Sequence, residues 1–125
     1  MKFLMMVKAG ADYEAGAAPT PELMAAVGAL AEEEFARGRM VLMGGLLPTA
    51  FGAKVQVAGG KVSVTDGPFA ESRELVGGFA IFELPSRAEA IEASRRFMAV
   101  HARVLGDAYR GEVEIRQMAD APDAN

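Results

Sequence analysis

The stretch KVQVAGGKVSVTDGPF, Lys54 to Phe69, constrains the fold of this chain more than any other. Val55 and Val57, then Val62 and Val64, alternate with polar residues at the period of a strand with two unlike faces. Between the two runs, Gly59-Gly60 suits a two-residue hairpin turn. An antiparallel hairpin therefore sits near the middle of the chain, and the rest must be arranged around it.

The flanking segments name the partners. Met1 to Val7 is apolar on both faces, as expected of a strand covered on each side. Ala9 to Pro21 is small, polar and Gly/Pro-bearing, hence a loop. Thr20 is placed to cap a helix from Pro21 to about Arg37, with Leu23, Val27, Leu30 and Phe35 near one face. Part of the run Glu32 to Glu34 falls on the opposite, solvated side, and Gly38 ends the helix. Met40 to Thr49 reads as a second buried strand interrupted by Gly44-Gly45, where glycines signal a bulge or a close backbone approach. Gly77 to Leu84 is a strand closed by Pro85, and Ser86 caps a second helix running to about His101 or Leu105. Gly111 to Met118 is the last strand, and residues 119–125 read as a flexible tail after a single domain of residues 1–118.

The resulting order, β-α-β-β-β-β-α-β, describes a ferredoxin-like α+β layer: one antiparallel sheet, two helices on one face and a hairpin insertion. Such a sheet leaves its second face bare. The first two strands are apolar on both faces, so that bare face also needs cover. A second copy of the chain supplies it, which makes a homodimer with sheets face to face the expected assembly.

Composition narrows the chemistry. The sequence has no cysteine and one histidine, so disulfides and thiolate metal sites are excluded and a metal centre is not expected. Its 13 Lys and Arg against 17 Asp and Glu leave a formal charge of −4 with no basic stripe, which disfavours direct nucleic-acid binding. The apolar opening is too short for a membrane helix and lacks the form of a signal peptide, so a cytoplasmic protein is expected. The glycine pairs lack the setting of a nucleotide fingerprint, and no metal, flavin or nucleotide cofactor is called for.

The candidates for chemistry are few. Strand parity places Asp66 on the face of Val62 and Val64, aimed towards the interior, where an unpaired charge is costly. Gly67-Pro68 then reverses the chain and Phe69 supplies an apolar anchor. Asp66 has two compatible readings: a turn residue whose carboxylate accepts following amides, or an acid/base group or ligand anchor at a cleft mouth. His101 lies on a helical stripe with Ala90, Ser94 and Phe97, either as a partly exposed helix-end residue or as a second acid/base group. Glu114 and Arg116 share a face of the last strand, suited to an ion pair or, for Arg116, to an anionic ligand. Glu71, Arg73 and Glu74 form a polar stretch after the motif. The eight methionines read as adaptable core filler rather than as a soft ligand pocket.

VTDGPFAES, the following ELVGGFAIFEL and the terminal EVEIRQM, together with the opening MKFLMMV, resemble YCII-related proteins of the DGPF type over nearly the whole chain. The resemblance implies a dimeric α+β barrel. Some relatives in that family carry out acid–base chemistry with a His–Asp pair whose histidine lies in the first helix; Pro21 to Arg37 holds no histidine, so the pair does not carry over. DGPF-type members are often encoded beside extracytoplasmic-function sigma factors. Two functions follow as expectations. One is a small organic ligand bound near Asp66, Gly67, Pro68 and Phe69, with Arg116 as a possible anion contact and acid–base turnover of lyase or isomerase type by Asp66 and His101. The other is a regulatory or interaction module working with a sigma-factor-linked protein.

Overall fold

A computed structural model of the chain describes residues 1–69 and 75–120. In chain order the elements are β1 (Lys2–Lys8), α1 (Ala11–Glu14), α2 (Pro21–Ala36), β2 (Met40–Gly45), a 3-10 turn (Thr49–Phe51), β3 (Ala53–Ala58), β4 (Lys61–Asp66), β5 (Val76–Glu83), α3 (Arg87–Leu105) and β6 (Val113–Gln117). Strands β2-β5-β1-β6 form one antiparallel sheet in that order, the arrangement of a ferredoxin-like fold. The α+β architecture expected from the sequence is therefore present.

Two details differ from the expectation. The loop before the first long helix contains the short α1, and β2 stops at Gly45 instead of running to Thr49. Both differences come from one cluster: the Tyr13 hydroxyl donates to the Leu46 carbonyl, and Glu14 Oε1 accepts the Thr49 amide. Contacts from α1 thus draw the chain away from the sheet just after Gly45. The hairpin β3–β4 then forms its own two-stranded sheet, separate from the other four.

Period-two alternation builds the core. Phe3 and Met5 on β1 and Ala80 and Phe82 on β5 are almost fully buried, packed with Leu84 and with Ala90 and Ala93 of α3. Small residues let α3 lie close to the sheet, and the Ser94 hydroxyl donates to the Ala90 carbonyl (3.0 Å), which keeps that buried polar group satisfied. Ser86 and Thr20 cap α3 and α2 as expected, each accepting an amide three residues on at 3.2 Å. Gly38 sits at φ +69, the left-handed position past the end of α2 that favours glycine.

Part of the run Glu32 to Glu34 is solvated as expected, and the correction to the helix pattern falls on Phe35. Glu32 and Glu33 are exposed, but Glu34 is buried and Phe35, placed on the apolar face by pattern, is exposed. Glu34 lies three residues after Ala31, the other buried residue of α2, so helical spacing turns both inward. It is compensated there: Arg39 Nε donates to Oε2 (2.9 Å) and Arg96 Nη2 donates to Oε1 (3.0 Å). These bonds join α2 to the start of β2 and to the middle of α3.

The other face of the four-stranded sheet carries Leu4, Met6, Leu42, Phe79 and Ile81 by register. No element of the described chain is placed over it in a further layer; the hairpin, too, leaves Val55, Val57, Val62 and Val64 exposed.

Candidate functional site

Beneath α2 the helix face of the sheet is hollow. Gly45 and Gly78 pair across β2 and β5 on that face, so two neighbouring floor positions have no side chain. A Cβ added at Gly45 would meet no atom within 4 Å. Small residues, Ala80 and Ala93, continue the floor and the α3 wall. The result is a cleft of about 280 Å³, just below the range typical of small-molecule pockets. Met5, Val7, Met40 and Met43 line its sheet side, and Leu23, Met24, Val27 and Leu30 line its α2 side. The methionines taken as core filler therefore include four that wall a cavity. Its rim is open at Pro19 and Met24, both exposed, while Met5, Phe82 and Ala93 lie buried within.

Among the described residues two polar side chains reach this wall, Glu34 and His101. Both oxygens of Glu34 are already held by arginines, so its charge is balanced from outside the cleft. His101 is 7% exposed, which replaces the expectation of a partly exposed helix-end residue. The helix continues four residues past it to Leu105, and its ring packs against Phe97 (centroids 4.5 Å apart) and Tyr109 (5.6 Å). His101 Nδ1 lies 2.9 Å from the Phe97 carbonyl oxygen. A carbonyl can only accept, so Nδ1 carries the proton and donates. Nε2 makes no hydrogen bond among the described residues. Burial also raises the Tyr109 hydroxyl above its ordinary pKa, which keeps this aromatic surround neutral.

The residues around the Asp-Gly-Pro-Phe motif lie elsewhere. Register confirms that Asp66, Val64 and Val62 share a face, opposite Ala53, Val55 and Val57. That face does not enter the protomer's interior, because the hairpin pairs only with itself; Asp66 is exposed. The motif closes the base of the hairpin. The Gly67 amide donates to the Gly52 carbonyl (2.9 Å), and the Phe69 amide donates to Thr49 Oγ1 (3.0 Å). A Cβ on Gly67 would overlap the Thr49 carbonyl oxygen, so glycine is required there. Lys54 Nζ sits 4.5 Å above the Phe69 ring, a cation–π contact that fastens β3 to the motif.

Arg116 lies on the sheet face turned away from the cleft, where Nε is 2.7 Å from Glu114 Oε2. Lys8 adds a second contact to Glu114 across the strands at 3.5 Å. Of the site candidates among the described residues, His101 lines the cleft; Asp66, Gly67, Pro68, Phe69 and Arg116 do not. Glu71, Arg73 and Glu74 lie outside the described residues, as do the last five residues of the tail. Pattern reading missed Glu34. The signal was its spacing from Val27, Leu30 and Ala31, at seven, four and three residues, which marks the inward face of α2.

Among the described residues no helix is long and apolar enough to cross a membrane, and no group of three acidic or imidazole side chains is placed to hold a metal ion. A family model for the YCII-related domain matches residues 1–118. No curated protein matches the chain.

Proposed function

This chain belongs to the YCII-related family, and we propose that it binds a small organic molecule in the cleft beneath α2, with His101 as the group able to exchange a proton with it. One observation carries this reading: an apolar cleft of about 280 Å³ whose wall includes a buried imidazole with Nε2 unpartnered among the described residues. Apolar walls supply affinity by removing ligand surface from water, and a fixed imidazole supplies direction. The Phe97 carbonyl holds the ring as a carboxylate holds histidine in acid–base sites, leaving Nε2 as the basic nitrogen. Proton transfer of lyase or isomerase type is the reaction class such a site suits.

Within this reading the chain is of the DGPF type and works as a homodimer, the second copy covering the apolar sheet face and the hairpin. Asp66 then acts at a surface completed by that copy, since its own protomer leaves it exposed. A sigma-factor-linked interaction module is the alternative, favoured by the four exposed valines of the hairpin.

A thermal-shift screen of phenols, lactones and small carboxylates separates these readings when run with Gly45→Phe and Asp66→Asn. The Gly45 Cβ position opens onto free space, so phenylalanine can enter the cleft without displacing backbone. A ligand at 100 times its dissociation constant stabilises the folded state by about 2.7 kcal/mol. The expected hit is lost in Gly45→Phe and kept in Asp66→Asn. A hit lost only in Asp66→Asn moves the site to the motif, and no hit at all favours the interaction module.

A further inference from the structure

The make-up of the cleft restricts what can occupy it. Its wall offers Phe, Met, Leu and Val side chains and glycine backbone, with polar contact limited, among the described residues, to Glu34 and His101. Among the described residues, the charged side chain at that wall is Glu34, an acceptor whose charge is balanced from behind. The two arginines that balance Glu34 do not line the cleft and are engaged by its two oxygens. A ligand carboxylate pushed inward would thus meet a carboxylate and, among the described residues, no free cation, at the full cost of burying an unpaired charge. A ligand ammonium would gain little, because Glu34 is already neutralised from behind.

His101 sets the remaining requirement. With Nδ1–H given to the Phe97 carbonyl, Nε2 of the neutral ring is an acceptor. A buried acceptor left unpaired against an apolar ligand loses its hydrogen bond to water without replacement. A ligand bearing one O–H restores it.

From these observations we infer that the cleft selects a neutral, mostly hydrocarbon molecule with a single hydroxyl, phenolic or alcoholic, donated to His101 Nε2. This rests on the cleft being the ligand site, as proposed above. The volume sets the size: a dry cavity of about 150 Å³ takes benzene, so about 280 Å³ takes roughly ten to fifteen non-hydrogen atoms. Discrimination is the consequence. A site built to pair one hydroxyl rejects the analogue that lacks it more strongly than it rejects an extra methylene.

Isothermal titration of the full chain with 4-propylphenol, propylbenzene and 4-propylbenzoate tests this, since the three share a hydrocarbon frame. The phenol should bind at least tenfold more tightly than either analogue in the native protein, and His101→Phe should remove that preference. Propylbenzene or 4-propylbenzoate binding as tightly as the phenol would overturn the assignment while leaving the cleft as a site. Binding of none of the three would overturn the site itself. Should His101→Phe fail to fold, the comparison in the native protein still decides, and His101→Gln, which keeps a side-chain acceptor, should retain part of the preference.

Discussion

Gly67 and His101 show how single residues divide the work in this molecule. Gly67 is structural: its α-carbon packs against the Thr49 carbonyl so closely that no side chain fits. Gly67→Ala should therefore force the hairpin base apart and cost about 1–3 kcal/mol, the usual scale of overpacking. Thermal unfolding measures the loss, and hydrogen exchange at the Gly67 and Phe69 amides should rise with it. An unchanged midpoint would mean the motif does not lock the hairpin. The four letters of that motif were conspicuous in the sequence, yet composition could not say whether Asp66 or Gly67 mattered more. The answer needs the position of Thr49, 18 residues earlier in the chain. Glu34 was hidden for a related reason. A triple-glutamate run looks solvated until Arg39 and Arg96 arrive to compensate its third member.

At the scale of elements, the hairpin and α2 were both legible, but their packing was not. Alternation and Gly59-Gly60 marked the turn, and both glycines have positive φ as such a turn requires. Parity correctly grouped Asp66 with Val62 and Val64, while the side on which that face would find cover depends on where α1 sends the chain. A two-stranded hairpin is marginal alone in water, and its exposed valines mark it for a partner surface. Val57 and Val62 stand opposite each other, so Val57→Lys with Val62→Glu replaces the apolar pair by an ion pair without disturbing the ladder. If a second copy covers this face, sedimentation should show the dimer at least tenfold weaker, with the protomer's thermal unfolding little changed. A dimer of unaltered strength would place the hairpin outside the interface.

For the whole molecule, the sheet order followed from the element order, because two helices on one side of four antiparallel strands leave few unknotted paths. The cleft did not follow. It arises where Gly45 meets Gly78 across strands and where α2 is held at one end by the Glu34 cluster, facts of pairing and distance that no local pattern carries. Gly44-Gly45 reads in the sequence as a bulge or a close approach; Gly44 does lie close to the Phe79 ring, where a Cβ would come within 3.0 Å, while Gly45 opens onto the floor of the cleft. The central claim is that this hollow, with His101 at its wall, is where the protein meets its ligand. A titration of the backbone amide spectrum with 4-propylphenol tests it most directly. Shifts concentrated on Leu23 to Glu34, Gly77 to Phe82 and Phe97 to His101 are the expected result. Shifts confined to the hairpin and to Asp66 to Phe69, or none at millimolar ligand, would contradict it.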